Sequence, residues 1–249
     1  MKFKESEKMS KAEFLVFCLM AILSGGSIGI GGSASLLAAS LYGVWGKLIG
    51  ACLFSLGIYV IITYEMRLFT GMVSEIPRMG VKNMWRLPLC FICNAIGVAL
   101  VAVLAYYSPV GDKIIPQAQA LIVGKLEAEA WAIRALCSSF LCGVLITLSV
   151  WSVRYAPKKS LSPTLGVIFP IIVFAFCGFD HSVANMMYFY YFGKCTWQIV
   201  GYVLLSILGN ILGGVMLPLV MLCKEKTQKK SEPKQSCETE QQPLKTNEN

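Results

Sequence analysis

Residues 176–188 read FCGFDHSVANMMY and contain the only histidine of the chain, His181. An apolar run precedes this motif and the chain turns apolar again after it. Asp180, His181, Ser182 and Asn185 therefore lie inside a stretch, 161–192, that is long enough to cross a hydrocarbon core of about 30 Å, which takes ~20 helical residues. Within hydrocarbon every backbone N–H and C=O must be paired, so non-helical backbone survives only where it is buried in protein or lines a cavity. The glycine and polar cluster at mid-span predict a broken helix there. An ionisable side chain at that depth is costly enough to be read first as functional.

The rest of the chain supports a membrane setting. Of 249 residues 56% are hydrophobic and only 14% charged, with a mean hydropathy of +0.64; soluble domains carry about 25% charged residues. Six apolar segments are long enough to span: 12–42, 48–69, 87–107, 130–155, 161–192 and 197–223. The first is too long for a signal peptide and runs into further spans. Lysine and arginine collect in the N-terminal segment, at Arg78, Lys82 and Arg86, at Arg154, Lys158 and Lys159, and in the tail. The intervening connections hold Lys47, Lys113, Lys125, Arg134 and Lys194. This bias predicts both termini in the cytoplasm and a multi-pass integral membrane protein. The net charge of +8 is then topological, and no basic folded face points to nucleic acid.

The domain organisation follows: a cytoplasmic segment at 1–11, a transmembrane domain at 12–223, and a polar tail at 224–249 without aromatics, expected to be disordered. Of ten cysteines, Cys90 and Cys93 have the closest spacing, but one histidine and no second pair cannot complete a zinc site. Small apolar packing is their better reading. No metal or cofactor is expected.

The six segments divide into two sets of three with internal correspondence. The third carries N-A-I-G at 94–97 and the sixth N-I-L-G at 210–213, 116 residues apart. The second is interrupted at Leu68-Phe69-Thr70-Gly71, the fifth at 178–182. An odd number of spans per half inverts one half against the other, and paired interruptions in inverted halves point to a transport site. The predicted fold is an all-α membrane protein of six helices in two inverted three-helix repeats, with the second and fifth helices broken. His181 suits proton exchange; the alternative is a neutral ring tied to a hydroxyl that holds the break in shape, with Thr70 as the available hydroxyl. Both roles are compatible.

GFDHSVANM at 178–186, LFTG at 68–71, GKLIGACLFSLG at 46–57 and N-I-L-G-G at 210–214 resemble the formate/nitrite transporter family. The resemblance covers 12–223. It implies an aquaporin-like architecture, a homopentamer in the lipid bilayer, one pore per protomer, and passage of a small monovalent weak-acid anion, often with a proton. His181 matches the central pore histidine and Thr70 its hydrogen-bond partner. Phe54 and Phe174 match one hydrophobic constriction, and Leu68 and Phe69 the other, with Ile58 and Ile146 lining the path. Asn210 matches an asparagine that supports a pore turn, and Asn185 is assigned to pore support with it. Apolar rings around one titratable group make sense, because a bare anion is costly to desolvate and its acid is not.

The chain departs from the family pattern. The usual lysine position, sixteen residues before the asparagine of an L-C-N stretch, falls on Glu127, and that asparagine is Gly143. Lys125 sits two residues earlier and reaches the role only if the chain bulges. Arg67 stands in place of the usual acid before L-F-T, and Met72 in place of an asparagine. Glu127 is either a vestibule acid that hands a proton to the anion or a solvent-facing glutamate in an extracellular loop; both readings stay open. The overall expectation is transport of formate, with nitrite or hydrosulfide behind, coupled to protons. A neutral-solute channel for water, ammonia or urea is the alternative. Nothing resembles a nucleophile–base arrangement, so no enzymatic activity is expected.

Overall fold

The structure, a computed structural model, describes residues 9–155, 157 and 161–231. Among them there is no strand. The chain begins at α1 (Lys11–Thr63), opened by a capping box in which the Ser10 Oγ accepts the Glu13 N–H and the Glu13 carboxylate accepts the Ser10 N–H. This satisfies two of the orphan donors at the helix start. At 53 residues α1 far exceeds one membrane thickness, and it is not straight. Gly43 adopts φ 53°, ψ −121°, a left-handed backbone that favours glycine. There the chain reverses, and arm 44–63 packs back along arm 11–42. A Cβ at Gly46 would stand 2.2 Å from the Ala38 carbonyl oxygen, and one at Gly57 2.7 Å from that of Ser27. Backbones this close require small residues at the contact.

Arm 44–63 ends at a turn through Tyr64 and Glu65, the latter at φ 51°. Extended backbone then leads to the short α2 (Phe69–Val73). The break thus occupies 64–68, a few residues ahead of the LFTG position expected for it, and LFTG itself starts the next helix. Next come α3 (Arg86–Tyr106), α4 (Gly111–Leu126), α5 (Trp131–Tyr155), α6 (Ser162–Cys177), α7 (Ser182–Phe192) and α8 (Trp197–Ser231). Gly178 closes α6 at φ 73°, the left-handed cap that glycine supplies. Between α6 and α7 the chain bends by 41°, so the predicted fifth-segment interruption lies where it was expected.

α1, α5, α8 and the α3 region (Val81–Tyr106) are long and apolar enough to cross a membrane, and the bent α6–α7 pair passes the same test together. Their outward faces carry exposed Leu19, Leu23, Ile92, Leu104, Phe169 and Leu204, while Asn94, Thr147, Asp180, His181 and Asn210 are buried. Exposed apolar faces around a polar interior suit a chain whose solvent is lipid. The main pairings are α1 with α3 and α5 with α8.

Two expectations change. Residues 111–126, read as part of an extracellular loop, form α4. Its Ile114, Ala118 and Ile122 are buried along one stripe against α7 and α1, and Gln198 on α8 donates to the Leu126 carbonyl at 2.7 Å. The spacing of i, i+4, i+8 is an amphipathic signal on a segment too polar to register as a span. At the other end, α8 continues past Cys223 to Ser231, into what was assigned to a disordered tail; residues 232–249 lie outside the described residues. Near the start of the extension Glu225 accepts from Arg78 at 2.6 Å.

Candidate pore site

The two broken helices meet at one hydrogen bond. Thr70 Oγ1 lies 2.9 Å from His181 Nε2, both buried, across 111 residues of sequence. His181 is also the N-cap of α7, its Nδ1 accepting the Ala184 N–H at 3.1 Å. That second bond fixes the tautomer. A ring whose Nδ1 lone pair is engaged carries its one proton on Nε2, so His181 donates to Thr70. Protonating Nδ1 would set two N–H groups against each other in a buried site and undo the cap.

Each break is held by one asparagine, and the two arrangements correspond bond for bond. Asn94 on α3 accepts the Phe69 N–H at 2.8 Å and donates to the carbonyls of Ala21 and Arg67, each at 2.8 Å. Asn210 on α8 accepts the Ser182 N–H at 2.8 Å and donates to the carbonyls of Ser139 at 2.8 Å and Asp180 at 2.9 Å. The flanking glycines pair in the same way. A Cβ at Gly97 would meet the Ile22 oxygen at 2.0 Å, and one at Gly213 the Phe140 oxygen at 2.0 Å. Backbone left unpaired by a break is thereby satisfied inside the protein, as hydrocarbon requires. Gly143 also acquires a reason, since a Cβ there would lie 2.4 Å from the Asn210 carbonyl oxygen.

Asp180, which the motif contained but no role had been assigned, is the second node. Its carboxylate accepts from Lys125, from Asn185 Nδ2 at 2.9 Å and from the Tyr202 hydroxyl at 2.9 Å. Its N–H donates to Ser138 Oγ at 3.0 Å. A buried carboxylate is tolerable when so many donors meet it. Lys125 reaches it from the last turn of α4, so the helix supplies the placement for which a bulge seemed necessary. Asn185 thus supports the break through Asp180. Glu127 caps α4 at its C-terminus and is exposed, outside both cavities.

Two cavities adjoin this core and share no lining residue. One, of about 200 Å³, is lined by Lys47, Phe54, Gln117, Lys125, Phe174 and His181 among others. The other, of about 300 Å³, is lined by Ile58, Leu68, Met72, Ile146, Arg67 and Arg154 among others. Along arm 44–63 they are separated by the turn from Phe54 to Ile58, about 6 Å of helix. Phe54 meets Phe174 edge to face at 5.5 Å, and Phe174 stacks on His181 at 5.9 Å, so these predicted residues converge. Leu68, Ile58 and Ile146 converge likewise on the second cavity. Phe69 does not join them: it lines neither cavity, and its ring packs edge to face on Phe91 at 5.3 Å.

An apolar exterior, broken helices tied inward and two cavities flanking one turn of a helical arm fit a helical membrane transport protein. A profile of the formate/nitrite transporter family matches residues 3–223; the chain belongs to this family. It is similar to the uncharacterized transporter YrhG of Bacillus subtilis (strain 168), with 30% identity over 195 residues, 69% of this chain and 70% of that protein. It is also similar to the probable formate transporter of Methanothermobacter thermautotrophicus, with 27% identity over 253 residues, 85% of this chain and 89% of that one. A solved pentameric formate channel with formate bound shares the fold, with a TM-score of 0.67 at 21% identity, covering 90% of this chain and 100% of that one.

Proposed function

We propose that this protein carries a small monovalent weak-acid anion across the membrane together with a proton, formate ahead of nitrite and hydrosulfide, through a pore in each protomer of a homopentamer. The observation that carries the reading is the pair of cavities separated by one helical turn, with His181, bonded to Thr70, on the wall of one of them and apolar side chains lining both. The matched asparagine ties support two inverted three-helix repeats with broken second and fifth helices, an aquaporin-like arrangement in which α1 contributes two spans. The lysine and arginine bias supports cytoplasmic termini.

The geometry suggests the cycle. An anion collects in the cavity bordered by Lys125 and takes up a proton there. Passing between Phe54 and Phe174 as an anion would require desolvating a full charge, whereas the neutral acid sheds far less hydration. The Thr70 hydroxyl, which accepts from His181, keeps its own proton to offer between the cavities, and Leu68, Ile58 and Ile146 pass the acid to the second cavity, where it ionises again. His181 serves as a hydrogen-bond donor held in one tautomer, because its other nitrogen caps α7. Asp180, Asn185 and Asn210 hold this geometry. Glu127 has no part in the path.

The test is uptake of formate, nitrite and hydrosulfide into proteoliposomes at two external pH values. Formate flux that rises with external acidity is the expected result. Flux of water, ammonia or urea with no flux of any of the three anions would replace this reading with a neutral-solute channel.

A further inference from the structure

We propose that Lys47, and not Lys125, supplies the net positive charge that draws the anion into the His181 cavity. The inference rests on the transport reading above and identifies a residue for capture, separate from those that shape the path. The cationic side chains lining this cavity are Lys47 and Lys125. Lys125 is in contact with the Asp180 carboxylate. Opposite charges in contact act at a distance as a dipole, whose field dies away faster than that of a single charge. Asp180 is further engaged by Asn185 and Tyr202, so it is fixed beside Lys125 and the pair stays neutral as a unit.

Lys47 differs in each respect. It stands four residues beyond the Gly43 reversal, at the start of arm 44–63 and two turns before Phe54, so it sits at the mouth of the cavity and not at its floor. It is exposed, and among the described residues no carboxylate lies within ion-pair distance of it. No acidic side chain lines the cavity. The surplus charge of this vestibule is therefore one positive unit, carried by Lys47. The opposite cavity offers a contrast within the same molecule: Glu65, Arg67, Glu75 and Arg154 line it, two of each sign, and Arg154 is paired with Glu75 at 2.6 Å. Attraction of anions is thus built into one face of the pore only. A cleft with low-dielectric walls concentrates the field of such a charge and raises the local anion concentration.

The experiment compares Lys47→Gln, Lys47→Glu and Lys47→Arg with the unaltered full-length protein in proteoliposomes, with formate as the probe offered from the face carrying Lys47. At low ionic strength the half-saturating formate concentration is expected to rise about three- to tenfold for Lys47→Gln and further for Lys47→Glu. Lys47→Arg is expected to match the unaltered protein. The differences should collapse near 1 M salt, where screening acts over about 3 Å. Melting temperatures of the purified variants should coincide, which separates capture from a structural role. A half-saturating concentration unchanged in Lys47→Gln and Lys47→Glu, or changed equally at low and high salt, overturns the inference. Absence of formate, nitrite and hydrosulfide flux in the unaltered protein overturns instead the transport reading on which it rests.

Discussion

Replacing Asn210 by alanine removes three hydrogen bonds at membrane depth, and their separate fates set the size of the effect. The Ser182 N–H, at the first position of α7, loses its acceptor and has no earlier turn to turn to; an orphaned buried donor costs about 1–3 kcal/mol. The Ser139 and Asp180 carbonyls lose one donor each, at about 0.5–1.5 kcal/mol apiece. The sum is roughly 2–6 kcal/mol. Asn94→Ala removes the corresponding three bonds and should fall toward the lower end, because Cys90 Sγ still reaches the Arg67 carbonyl at 3.3 Å. Asn210→Asp keeps the acceptor for Ser182 but sets a buried carboxylate oxygen against the Ser139 and Asp180 carbonyls, so it should be at least as damaging as the alanine variant. Reversible unfolding of the purified protein in mixed micelles reads all three. If both alanine variants unfold within about 0.5 kcal/mol of the unaltered protein, as ordinary surface changes do, the asparagines do not hold the breaks and the reasoning fails.

Thr70→Val should abolish most formate flux while Thr70→Ser retains it, because serine preserves the hydroxyl that faces His181 Nε2; initial rates in proteoliposomes compare them. Lys125→Ala strands the buried Asp180 carboxylate and should destabilise the protein by about 3–5 kcal/mol, with much of that loss recovered in Lys125→Ala/Asp180→Asn; thermal unfolding of the single and double variants checks the pairing. Gly143→Ala should lower the melting temperature markedly, since its Cβ would meet the Asn210 carbonyl oxygen at 2.4 Å, backbone that cannot swing aside. Glu127→Gln should leave flux and its pH dependence unchanged, and any shift in the pH profile would return Glu127 to the path.

The features legible in the sequence were those written in spacing. Asn94 and Asn210 stand at matching points of N-x-x-G motifs, and each proves to tie a break. Gly178 followed by polar residues announced a helix end within a span. Other features were hidden because they depend on three-dimensional partners or on weaker patterns. Asp180 is one carboxylate in a polar cluster until Lys125, Asn185 and Tyr202 arrive from three helices. α4 is marked only by Ile114, Ala118 and Ile122, a stripe that a search for spans passes over. Phe69 shares its neighbourhood with Leu68, but the one-residue advance at the start of α2 turns its ring toward Phe91. Glu127 illustrates the hazard of ungapped counting: the helical C-terminus leaves it outside, and the cation two residues earlier is the one that reaches the buried acid.

The asparagine ties have a kinetic consequence. Because the N–H groups of Phe69 and Ser182 and the carbonyls of Arg67 and Asp180 are already engaged by the protein, they are not offered to a solute in transit. On the proposed path a solute would find the Thr70 hydroxyl and little other hydrogen bonding, so its resting place would be shallow and its stay brief. Such a passage would favour throughput over retention.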